Sequence, residues 1–449
     1  MVGLSNGVNE RMHYQELLKA FRELEVGFSL QEAVAEATRC IKCEDAPCSK
    51  ACPSGVDVVK FIRQIATRNF IGAIKVIKED NILAGICARI CPQSMLCEGK
   101  CSSSELASPI KIGRLQQFAA DQEMEKGPKP LKSLPPKGLG VAVVGSGPAG
   151  LSAATVLKRL GYDVDLFEAE SYPGGILTYG IPAYRLPKAV VRQEVDYIQS
   201  MGVIFHHRSP VDDPPALLER YKAVFLGLGA RSPERLGIEG EDLSGVIQAF
   251  DLLKEVNLSL MEHRDCNLVI GDRVVVIGGG NAAIDGAVVA KKLGAVQVTI
   301  LYRRSEEEMP AWEEEKRFAL SQGISFQTLT QPIRFLGDNG KLTAVECVKM
   351  QQGELDDSGR RRPIPLAGTE FRIPCNMAIV AIGQRPNAWF DGLRRNDRGL
   401  IEVDEETLAA SVPGIYAGGD LIRGSDTAVR AVGDGKRAAF AMDAWIQGH

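Results

Sequence analysis

The stretch Val141-Ala-Val-Val-Gly-Ser-Gly-Pro-Ala-Gly150 decides the fold of this chain. Its β-branched residues predict a short strand, and the spacing G-x-G-x-x-G predicts a tight turn that opens a helix. The next predicted strand, residues 162–168, ends in Glu168. Such glycines let a pyrophosphate approach the N–H groups at a helix N-terminus, and the acid accepts hydrogen bonds from a ribose. The motif predicts a dinucleotide site, against the alternative of a tight turn that holds no ligand.

A second fingerprint, Gly278-Gly-Gly-Asn-Ala-Ala283, follows the predicted strand 274–277. Such fingerprints accept alanine in place of the third glycine. No acid ends the next strand, where the chain reads Tyr302-Arg303-Arg304. Two guanidinium groups suit a 2′-phosphate, so the sequence favours NADPH over NADH. The alternative is a strand end whose arginines are only solvated.

Two fingerprints on one chain predict FAD together with NAD(P)H. The apolar stretch Ile415-Tyr-Ala-Gly-Gly-Asp420 is typical of a segment that returns to a flavin. Asp420 would bond the ribityl or diphosphate region, and a simple turn acid is the alternative. No cysteine lies between Cys101 and Cys266, so no dithiol stands beside the predicted flavin. Electrons that leave the flavin are therefore expected to reach the cysteine-rich N-terminal part.

Eight of the 11 cysteines lie between Cys40 and Cys101. They form the runs Cys40-x2-Cys43-x4-Cys48-x3-Cys52-Pro and Cys87-x3-Cys91-Pro-x4-Cys97-x3-Cys101. Close spacing followed by Cys-Pro is typical of iron–sulfur ligation, and eight thiolates would fill two four-cysteine clusters. Structural zinc and ordinary buried thiols are the alternatives, although zinc ribbons favour paired Cys-x2-Cys knuckles and one such pair occurs here.

The chain of 449 residues is long enough for about three domains. Residues 14–125 show helical periodicity, with a capping-box pattern from Ser29 to Glu32 ahead of Cys40. From residue 139 onward, strand and helix patterns alternate, which is typical of parallel sheets. The predicted α/β organisation is an all-α iron–sulfur domain with two clusters (1–126), a Pro/Lys linker (127–138), and a Rossmann-like FAD domain (139–262 and 375–449) interrupted by a Rossmann-like NAD(P)H domain (263–374).

Composition excludes several classes of function. The formal net charge of −4, from 53 basic and 57 acidic residues, argues against a nucleic-acid-binding protein. No run of apolar residues is long enough to predict a membrane span, and the N-terminus lacks the pattern of a signal peptide. The sequence therefore predicts a cytoplasmic protein in a reducing environment.

Three further stretches carry a resemblance to a known family. They are Asn69-Phe-Ile-Gly-Ala-Ile74, Ala107-Ser-Pro-Ile-Lys-Ile-Gly-Arg-Leu-Gln-Gln-Phe118 and Pro173-Gly-Gly-Ile-Leu-Thr-Tyr-Gly-Ile-Pro-Ala-Tyr-Arg-Leu-Pro187. Together with the cysteine block, they resemble the N-terminal half of dihydropyrimidine dehydrogenase and its free-standing bacterial NAD(P)H-dependent electron-input subunit. The glutamate synthase small chain and the large subunit of the bifurcating ferredoxin–NADP transhydrogenase are similar. The resemblance covers roughly residues 30 to 445.

The motifs and this resemblance together imply the site residues. One [4Fe–4S] cluster would take Cys40, Cys43, Cys48 and Cys101, and the other would take Cys52, Cys91, Cys97 and Gln116. This scheme leaves Cys87 free and so departs from the count of eight thiolates. The implied FAD residues are Gly145, Ser146, Gly147, Pro148, Ala149, Gly150, Glu168, Gly175, Arg185, Val211, Gly419, Asp420 and Thr427. The implied NADP residues are Gly278, Gly280, Asn281, Ala282, Arg303, Arg304, Ala381 and Gly383. No catalytic side chain is predicted, since the hydride is transferred at the flavin.

The resemblance implies transfer of electrons from NAD(P)H through FAD and two clusters to a separate subunit of a hetero-oligomer. The glutamate synthase and transhydrogenase members of the family usually carry Glu where this chain has Gln116, so the resemblance favours the pyrimidine branch, with an FMN and iron–sulfur dihydropyrimidine dehydrogenase subunit as the partner. The chain ends at His449, which leaves no room for an FMN barrel of about 250 residues, so the catalytic half is expected on another polypeptide. The alternatives are a bifurcating transhydrogenase subunit, a glutamate synthase small chain and, from another class, a zinc-containing nucleotide-sensing or scaffold protein.

Overall fold

The computed structural model describes residues 11–127, 131–356, 359–386, 390 and 392–448. Residues 128–130 of the predicted linker therefore lie outside the described part. The chain forms two compact units. We call Glu23–Thr178, Arg185–Ser232 and Gln384–His449 the first unit, and Met1–Arg22, Tyr179–Tyr184 and Pro233–Gly383 the second unit.

The N-terminal part of the first unit is helical, as the sequence predicts. Its helices are Leu30–Thr38, Pro47–Lys50, Val58–Ala66, Phe70–Asp80, Ala84–Ile90 and Ile112–Lys126, with 3-10 turns at Glu98–Lys100 and Ser102–Glu105. The predicted capping box is confirmed, because Ser29 N–H donates to the Glu32 carboxylate (2.8 Å) and Glu32 N–H donates to the Ser29 hydroxyl (3.4 Å). The apolar faces of these helices, including Phe61, Ile65 and Phe118, share one core.

The first unit also contains a parallel sheet of five strands. In spatial order these are Ile415–Ala417, Val224–Leu226, Gly140–Val144, Asp163–Phe167 and Ile204–His206. The helices of this part are Pro148–Arg159, Lys188–Ser200, Asp420–Arg423 and Ala428–Gly448, with a 3-10 turn at Pro215–Glu219. The strand before the first fingerprint is buried from Val141 to Val144. Such continuous burial is expected of a central strand in a parallel sheet.

The second unit contains another parallel sheet of five strands, in the order Val246–Gln248, Met377–Val380, Arg273–Ile277, Gln297–Leu301 and Ser325–Gln327. Antiparallel strands form a further sheet from Thr330–Asp338, Lys341–Leu355, Arg361–Pro365 and Phe371–Pro374. The helices are Tyr14–Ala20, Ala249–Met261, Asn281–Lys292 and Glu313–Ser321, with a 3-10 turn at Glu306–Glu308. Each fingerprint strand is central in its sheet and has the strand that follows it in the chain as a neighbour. The predicted fold class, a helical part followed by two Rossmann-like sheets, is confirmed.

The boundaries of the units differ from the predicted domain bounds. The helix Ala249–Met261, which the sequence places with the FAD domain, belongs to the second unit because Leu252, Leu253 and Val256 share a core with Ile284. The helix Ile176–Tyr179 and the strands Ser232–Pro233 and Gln384–Arg385 lie where the chain passes from one unit to the other. The cofactor domains 1–126, 139–262, 263–374 and 375–449 remain predictions. Within the described ranges, no helix combines the length and the apolar character needed to cross a membrane.

Candidate flavin, nucleotide and iron–sulfur sites

The first fingerprint forms a glycine-lined turn between its strand and the helix Pro148–Arg159. Gly145 has a φ of +96° and lies against the Gly227 carbonyl, where an added Cβ would stand 2.5 Å from the oxygen. Gly147 is the N-cap residue of the helix, and an added Cβ there would meet nothing nearer than 3.8 Å. Gly145 therefore permits the bend, and the space at Gly147 leaves the helix N-terminus open to a phosphate.

Glu168 lies at the end of the second strand and is 5% exposed. Its carboxylate accepts hydrogen bonds from the Ser146 hydroxyl, from Ser146 N–H (3.1 Å) and from a main-chain N–H two residues further on (2.8 Å). The Ser146 hydroxyl accepts in turn from Gly174 N–H (2.9 Å), and an added Cβ on Gly175 would stand 3.1 Å from Gly147 Cα. The structure thus brings four of the predicted flavin residues around one turn.

The return segment at Gly419 and Asp420 lies beside the same turn. Gly419 has a φ of +70°, and an added Cβ would stand 3.3 Å from the Ala149 Cβ. Burial raises the pKa of Asp420 to about 6. The Thr427 hydroxyl is buried and has no hydrogen-bond partner among the described residues. A glycine-lined turn with an orphaned buried hydroxyl nearby fits a polar ligand such as FAD, which can supply the missing bond.

Asp434, which no motif indicates, holds this return segment in place. Its side chain is buried, accepts from Gly419 N–H (3.1 Å) and pairs with Arg423 (2.6 Å) and Arg437 (3.2 Å). The sequence signal that could have indicated it is an acid between two glycines, directly after the apolar pair Ala431-Val432. The remaining predicted flavin residues, Arg185 and Val211, lie in the first unit, and their roles stay predictions.

The second fingerprint forms a turn of the same kind in the second unit. Gly278 has a φ of +146° and lies against the Ala381 carbonyl, with which an added Cβ would collide. Gly280 is the N-cap residue of its helix, and the space where its Cβ would stand is open. The Asn281 side chain accepts from Trp312 N–H (3.0 Å), so it positions a neighbouring loop. The other predicted residues, Ala282 and Gly383, lie in the same unit.

Arg303 and Arg304 differ in their surroundings. Arg304 is 6% exposed, pairs with Asp356 (2.7 Å) and donates to the Arg361 carbonyl (3.0 Å). Arg303 is more exposed, and burial together with the positive charges of Arg304 and Arg360 lowers its pKa. Guanidinium groups that repel one another at a strand end favour a bound anion. Arg303 is therefore the better candidate for a 2′-phosphate, whereas Arg304 is already engaged within the protein.

The first group of cysteines comprises Cys40, Cys43, Cys48 and Cys101. Burial and the neighbouring thiols of Cys101 and Cys43 raise the pKa of Cys40. Burial and the thiols of Cys101 and Cys40 raise the pKa of Cys48 to about 11. Each ionised thiol makes ionisation of its neighbours less favourable, so such mutual effects indicate thiols that lie near one another. A bound cation would lower these pKa values and stabilise the thiolates.

The second group comprises Cys52, Cys91 and Cys97, with Cys87 beside it. A hydrogen bond with Cys87 raises the pKa of Cys91, and burial and the charges of Cys87, Cys52 and Cys97 raise it further. Burial raises the pKa of Cys97 to about 12, with Glu98 and Cys52 contributing. Most of these effects act within one of the two implied ligand sets, although Cys48 of the first set also raises the pKa of Cys97, and the two sets stay predictions.

The helix that carries Gln116 packs against the segment that holds Cys87 and Gln93. Gly113, at the start of that helix, packs against Gln93 in the loop between two cysteines of the group, where an added Cβ would stand 2.5 Å from Gln93 Nε2. Gln116 Nε2 donates to the Ala84 carbonyl (2.8 Å) at the start of the helix that carries Cys87. These contacts place the helix of Gln116 beside the segment that carries Cys87 and Gln93, and Gln116 as the eighth ligand stays a prediction.

The chemistry of the donor set fits iron–sulfur clusters. All 11 cysteines are free of disulfides, and clusters of four irons are held mainly by such thiolates. As the side chains stand, no group of three or more His, Cys, Asp or Glu residues in the described part of the chain could hold a metal ion.

The helix Ala428–Gly448 touches both the fingerprint turn and the second cysteine group. An added Cβ on Gly435 would collide with the Ala149 carbonyl, and one on Gly433 would stand 2.5 Å from the Pro53 carbonyl oxygen. Pro53 directly follows Cys52. Gly433 and Gly435 therefore let the first fingerprint turn and the residue after Cys52, a proposed cluster ligand, pack closely against one short stretch of this helix. All of these residues lie in the first unit.

Residues 17–128 match the family described as dihydropyrimidine dehydrogenase domain II, 4Fe-4S cluster. Residues 139–435 match the pyridine nucleotide-disulphide oxidoreductase family. The chain belongs to this family. It is an NAD(P)H-dependent flavoprotein oxidoreductase with FAD and iron–sulfur clusters as cofactors, which confirms the predicted chemistry, and the zinc-scaffold alternative is not supported.

Curated relatives of this oxidoreductase include the β subunit of the NADP(+)-dependent formate dehydrogenase of Moorella thermoacetica, which is 38% identical over 90% of this chain; the chain spans 60% of that subunit's length. The small chain of glutamate synthase [NADPH] of Escherichia coli is 35% identical, with 95% of this chain and 94% of the relative covered. The NAD-dependent dihydropyrimidine dehydrogenase subunit PreT of Escherichia coli is also 35% identical, with 95% and 97% covered. Its relatives are thus subunits of larger enzymes, and the predicted electron-transfer role is confirmed.

The fold is also shared with solved structures. Mycobacterium tuberculosis FprA in complex with NADPH has a TM-score of 0.59 at 22% identity, and the match covers 70% of this chain and 85% of that one. The thioredoxin reductase of T. acidophilum has a TM-score of 0.53 at 22% identity, and the match covers 68% of this chain and 97% of that one. At this identity the likeness shows the fold alone.

Proposed function

We propose that the chain accepts a hydride from NADPH at FAD and delivers electrons through two [4Fe–4S] clusters to a separate subunit that interconverts uracil-type pyrimidines and dihydropyrimidines. When bound, the flavin joins two-electron to one-electron chemistry, and the clusters supply the one-electron steps. The observation that carries the proposal is the helix Ala428–Gly448, which meets the fingerprint turn at Gly435 and the cysteine loop at Gly433.

The residues of the chain act by binding and positioning. The N–H groups at the first fingerprint hold a pyrophosphate, Glu168 faces a ribose, and Thr427 offers a hydroxyl that lacks a partner. Asp434 fixes the return segment through Gly419 N–H. In the second unit, Arg303 reads the 2′-phosphate of NADPH. The NADPH preference distinguishes this proposal from the relative PreT, whose name says NAD-dependent.

The proposed ligands follow the two cysteine groups. One cluster takes Cys40, Cys43, Cys48 and Cys101, and the other takes Cys52, Cys91, Cys97 and Gln116. The effects of Cys101 on Cys40 and Cys48, and of Cys52 and Cys97 on Cys91, support this division, while the effect of Cys48 on Cys97 runs across it. With the neutral amide oxygen of Gln116 as its fourth ligand, the second cluster would carry one negative charge fewer than a cluster held by four thiolates.

The proposed partner is an FMN and iron–sulfur dihydropyrimidine dehydrogenase subunit, in a hetero-oligomer. Exposed apolar side chains within the cysteine block support a docking surface there, because such residues favour protein contacts. Ile41 follows Cys40 directly, and Met95, two residues before Cys97, is 65% exposed. Similarity to PreT and the presence of Gln116 support the pyrimidine branch. The cytoplasmic location stays a prediction from the sequence.

A second candidate is the small chain of a glutamate synthase, which the 35% identity over 94% of the Escherichia coli relative supports. A reconstitution separates the two candidates. We expect NADPH-dependent reduction of uracil when the anaerobically purified chain is combined with a pyrimidine-reducing subunit. Glutamate formation from glutamine and 2-oxoglutarate, obtained only with a glutamate synthase large chain, would favour the second candidate.

Met95→Glu tests the docking surface in the same reconstitution. We expect it to lower uracil reduction while NADPH oxidation by a small artificial acceptor is unchanged, since a charge disrupts an apolar contact without touching the nucleotide sites. Val296→Glu is the matched control, because Val296 is 70% exposed but lies in the second unit. Equal losses with both acceptors would contradict a docking role for Met95.

Iron content decides the eighth ligand. We expect about eight irons per chain, and Cys87→Ala should retain them, because a free thiol contributes only to packing. Gln116→Ala should alter the iron content or the spectrum of the second cluster, whereas Gln117→Ala, at the adjacent and buried glutamine, is the matched control. Loss of four irons in Cys87→Ala, with none lost in Gln116→Ala, would show that eight cysteines are the ligands.

A further inference from the structure

Glu194 is a buried carboxylate that lies far along the chain from the cysteine block and yet is bonded to it. The residue belongs to the helix Lys188–Ser200 and is 1% exposed. Its two oxygens accept from Gly85 N–H (2.6 Å) and Ile86 N–H (3.3 Å), at the first turn of the helix Ala84–Ile90. That helix carries Cys87 and ends just before Cys91.

The peptide group that joins Ala84 to Gly85 is hydrogen-bonded at both ends. Its N–H donates to Glu194, and its carbonyl accepts from Gln116 Nε2 (2.8 Å). Hydrogen bonds in series through one peptide group strengthen one another, because each polarises the next. A carboxylate at one end therefore increases the electron density on the Ala84 oxygen and strengthens the hydrogen bond that this oxygen accepts from the Gln116 amide. The stronger bond in turn makes Gln116 Oε1 a better electron-pair donor to iron.

We propose that Glu194 is a positioning residue that orients and tunes Gln116 as an iron ligand through the Ala84–Gly85 peptide. The proposal rests on the proposed function, since it needs Gln116 at the second cluster. A helix cap alone would account for the two bonds that Glu194 accepts. It would not account for the third bond, which ties the opposite end of the same peptide to the one non-cysteine member of the proposed ligand set.

The surroundings of Glu194 hold this arrangement in place. An added Cβ on Gly85 would stand 3.3 Å from a Glu194 oxygen and 3.0 Å from Met124, so glycine is needed for the carboxylate to reach the main chain. Burial raises the pKa of Glu194 to about 7, while the facing positive charges of Lys78 and Arg89 and the two main-chain N–H groups favour its ionised form. Lys78 is itself engaged, since it pairs with Glu123 (2.6 Å) and lies over an aromatic ring at 3.4 Å.

The test is a redox titration of the anaerobic holoprotein at about pH 9, where Glu194 is ionised, followed by EPR of the second cluster. Glu194→Gln removes the charge and keeps the shape. We expect the reduction equilibrium of that cluster to shift about tenfold toward the reduced form, equal to 59 mV for a one-electron couple, with a changed EPR signal and unchanged iron and FAD contents. Glu123→Gln, which removes a buried carboxylate of the same region that does not bond this peptide, should shift it less than about twofold.

A double-mutant cycle separates the peptide relay from the plain effect of charge. In a Gln116→Cys background, where no amide bonds Ala84, Glu194→Gln should shift the equilibrium less than about twofold. An equal shift in both backgrounds would overturn the relay. If Gln116→Ala leaves the iron content and the EPR signal unchanged, the ligand assignment itself fails, which is a different result. If the Glu194→Gln protein does not retain the cluster, Glu194→Asp serves as the second variant. Aspartate keeps the charge but has a shorter side chain, so its hydrogen bonds to the main chain should change. An unchanged EPR signal of the second cluster in Glu194→Asp would overturn the proposal.

Discussion

The parallel sheets of the two units arrange four strands in the same order but differ in the fifth, at the edge, which is Ile415–Ala417, the last strand in the chain, in the first unit and Val246–Gln248, the first, in the second unit. They differ also in the residue that follows the second strand, the one after the fingerprint strand. In both, the first glycine of the fingerprint donates its N–H to the last residue of that strand: Gly145 to Phe167 (2.8 Å) and Gly278 to Leu301 (3.1 Å). Both glycines have positive φ and lie against a carbonyl at the end of the strand on the other side. The turns are therefore equivalent, and Glu168 corresponds in position to Tyr302.

Glu168 and Tyr302 each contact the second residue of the fingerprint in their own unit. Glu168 accepts from the Ser146 hydroxyl, and the position of Ser146 is occupied in the second unit by Gly279. An added Cβ on Gly279 would collide with the Tyr302 ring. The first turn thus pairs Ser146 with the acid Glu168. In the second turn, Gly279 leaves room for the ring of Tyr302, and Arg303 follows that tyrosine in the chain. We therefore predict that the same backbone turn accepts a pyrophosphate in both sheets, and that the residue pairs Ser146–Glu168 and Gly279–Tyr302 make the two sites differ in how they recognise the sugar.

Gly145 and Gly278 give the strongest test of this equivalence. Gly145→Ala should abolish FAD binding, because alanine at φ +96° is strained and its Cβ would stand 2.5 Å from the Gly227 oxygen. Gly278→Ala should retain FAD and lose NADPH. The measurements are the flavin absorbance of the purified protein and nucleotide titration. Loss of both cofactors in both variants would show that the turns are not separate sites.

Much of this comparison follows from sequence, because each fingerprint is a local pattern with a local geometry. Strands, helices and the capping box at Ser29 are set by neighbouring residues, so they could be predicted. The ion pair of Arg304 with Asp356 could not, since it joins residues that only the folded chain brings together. The same holds for the bonds of Asp434 to Gly419 and of Glu194 to the cysteine block. Residues that position a site from a distance carry no motif.

Arg303 sharpens the comparison at the sugar. Arg303→Ala should weaken NADPH binding by about 10- to 100-fold, because a charge-assisted hydrogen bond contributes about 1.5–3 kcal/mol, and it should leave NADH binding nearly unchanged. Dissociation constants for both nucleotides check this. Equal weakening of NADPH and NADH would mean that Arg303 does not contact the 2′-phosphate.

Arg304→Ala is the matched control for Arg303. Arg304 pairs with Asp356 and donates to a main-chain carbonyl, so its loss should act on folding. We expect the second unit to lose about 1–3 kcal/mol of unfolding free energy, with a smaller change in the NADPH-to-NADH preference. A larger change in preference than Arg303→Ala causes would reverse the roles of the two arginines.

Asp420 adds a pH dependence to the first sheet. Burial raises its pKa from the ordinary 3.8 to about 6 in the folded chain, so the folded state binds the extra proton. The apoprotein should therefore be most stable, as far as this group is concerned, near pH 4 and lose stability as pH rises to about 6. We expect Asp420→Asn to be about 1–2 kcal/mol more stable than the parent at pH 7, and nearly equal at pH 4. Denaturant unfolding of apoproteins at both pH values measures this; a pH-independent difference would contradict it.

The third position of the fingerprint gives the smallest expected effect. At Gly150 an added Cβ would collide with the Gly145 carbonyl oxygen, whereas the corresponding Ala283 is fully buried without such a clash. The second turn is therefore wide enough for a methyl group, and that methyl fills space next to the helix. Ala283→Gly should cost about 1 kcal/mol of unfolding free energy, from lower helix propensity and the lost methyl, and change the dissociation constant for NADPH less than about twofold. Gly150→Ala should instead lose FAD as Gly145→Ala does. If Ala283→Gly weakened NADPH strongly, the methyl group would have to shape the nucleotide site itself, and the two turns would differ in how they hold the pyrophosphate as well as in how they read the sugar.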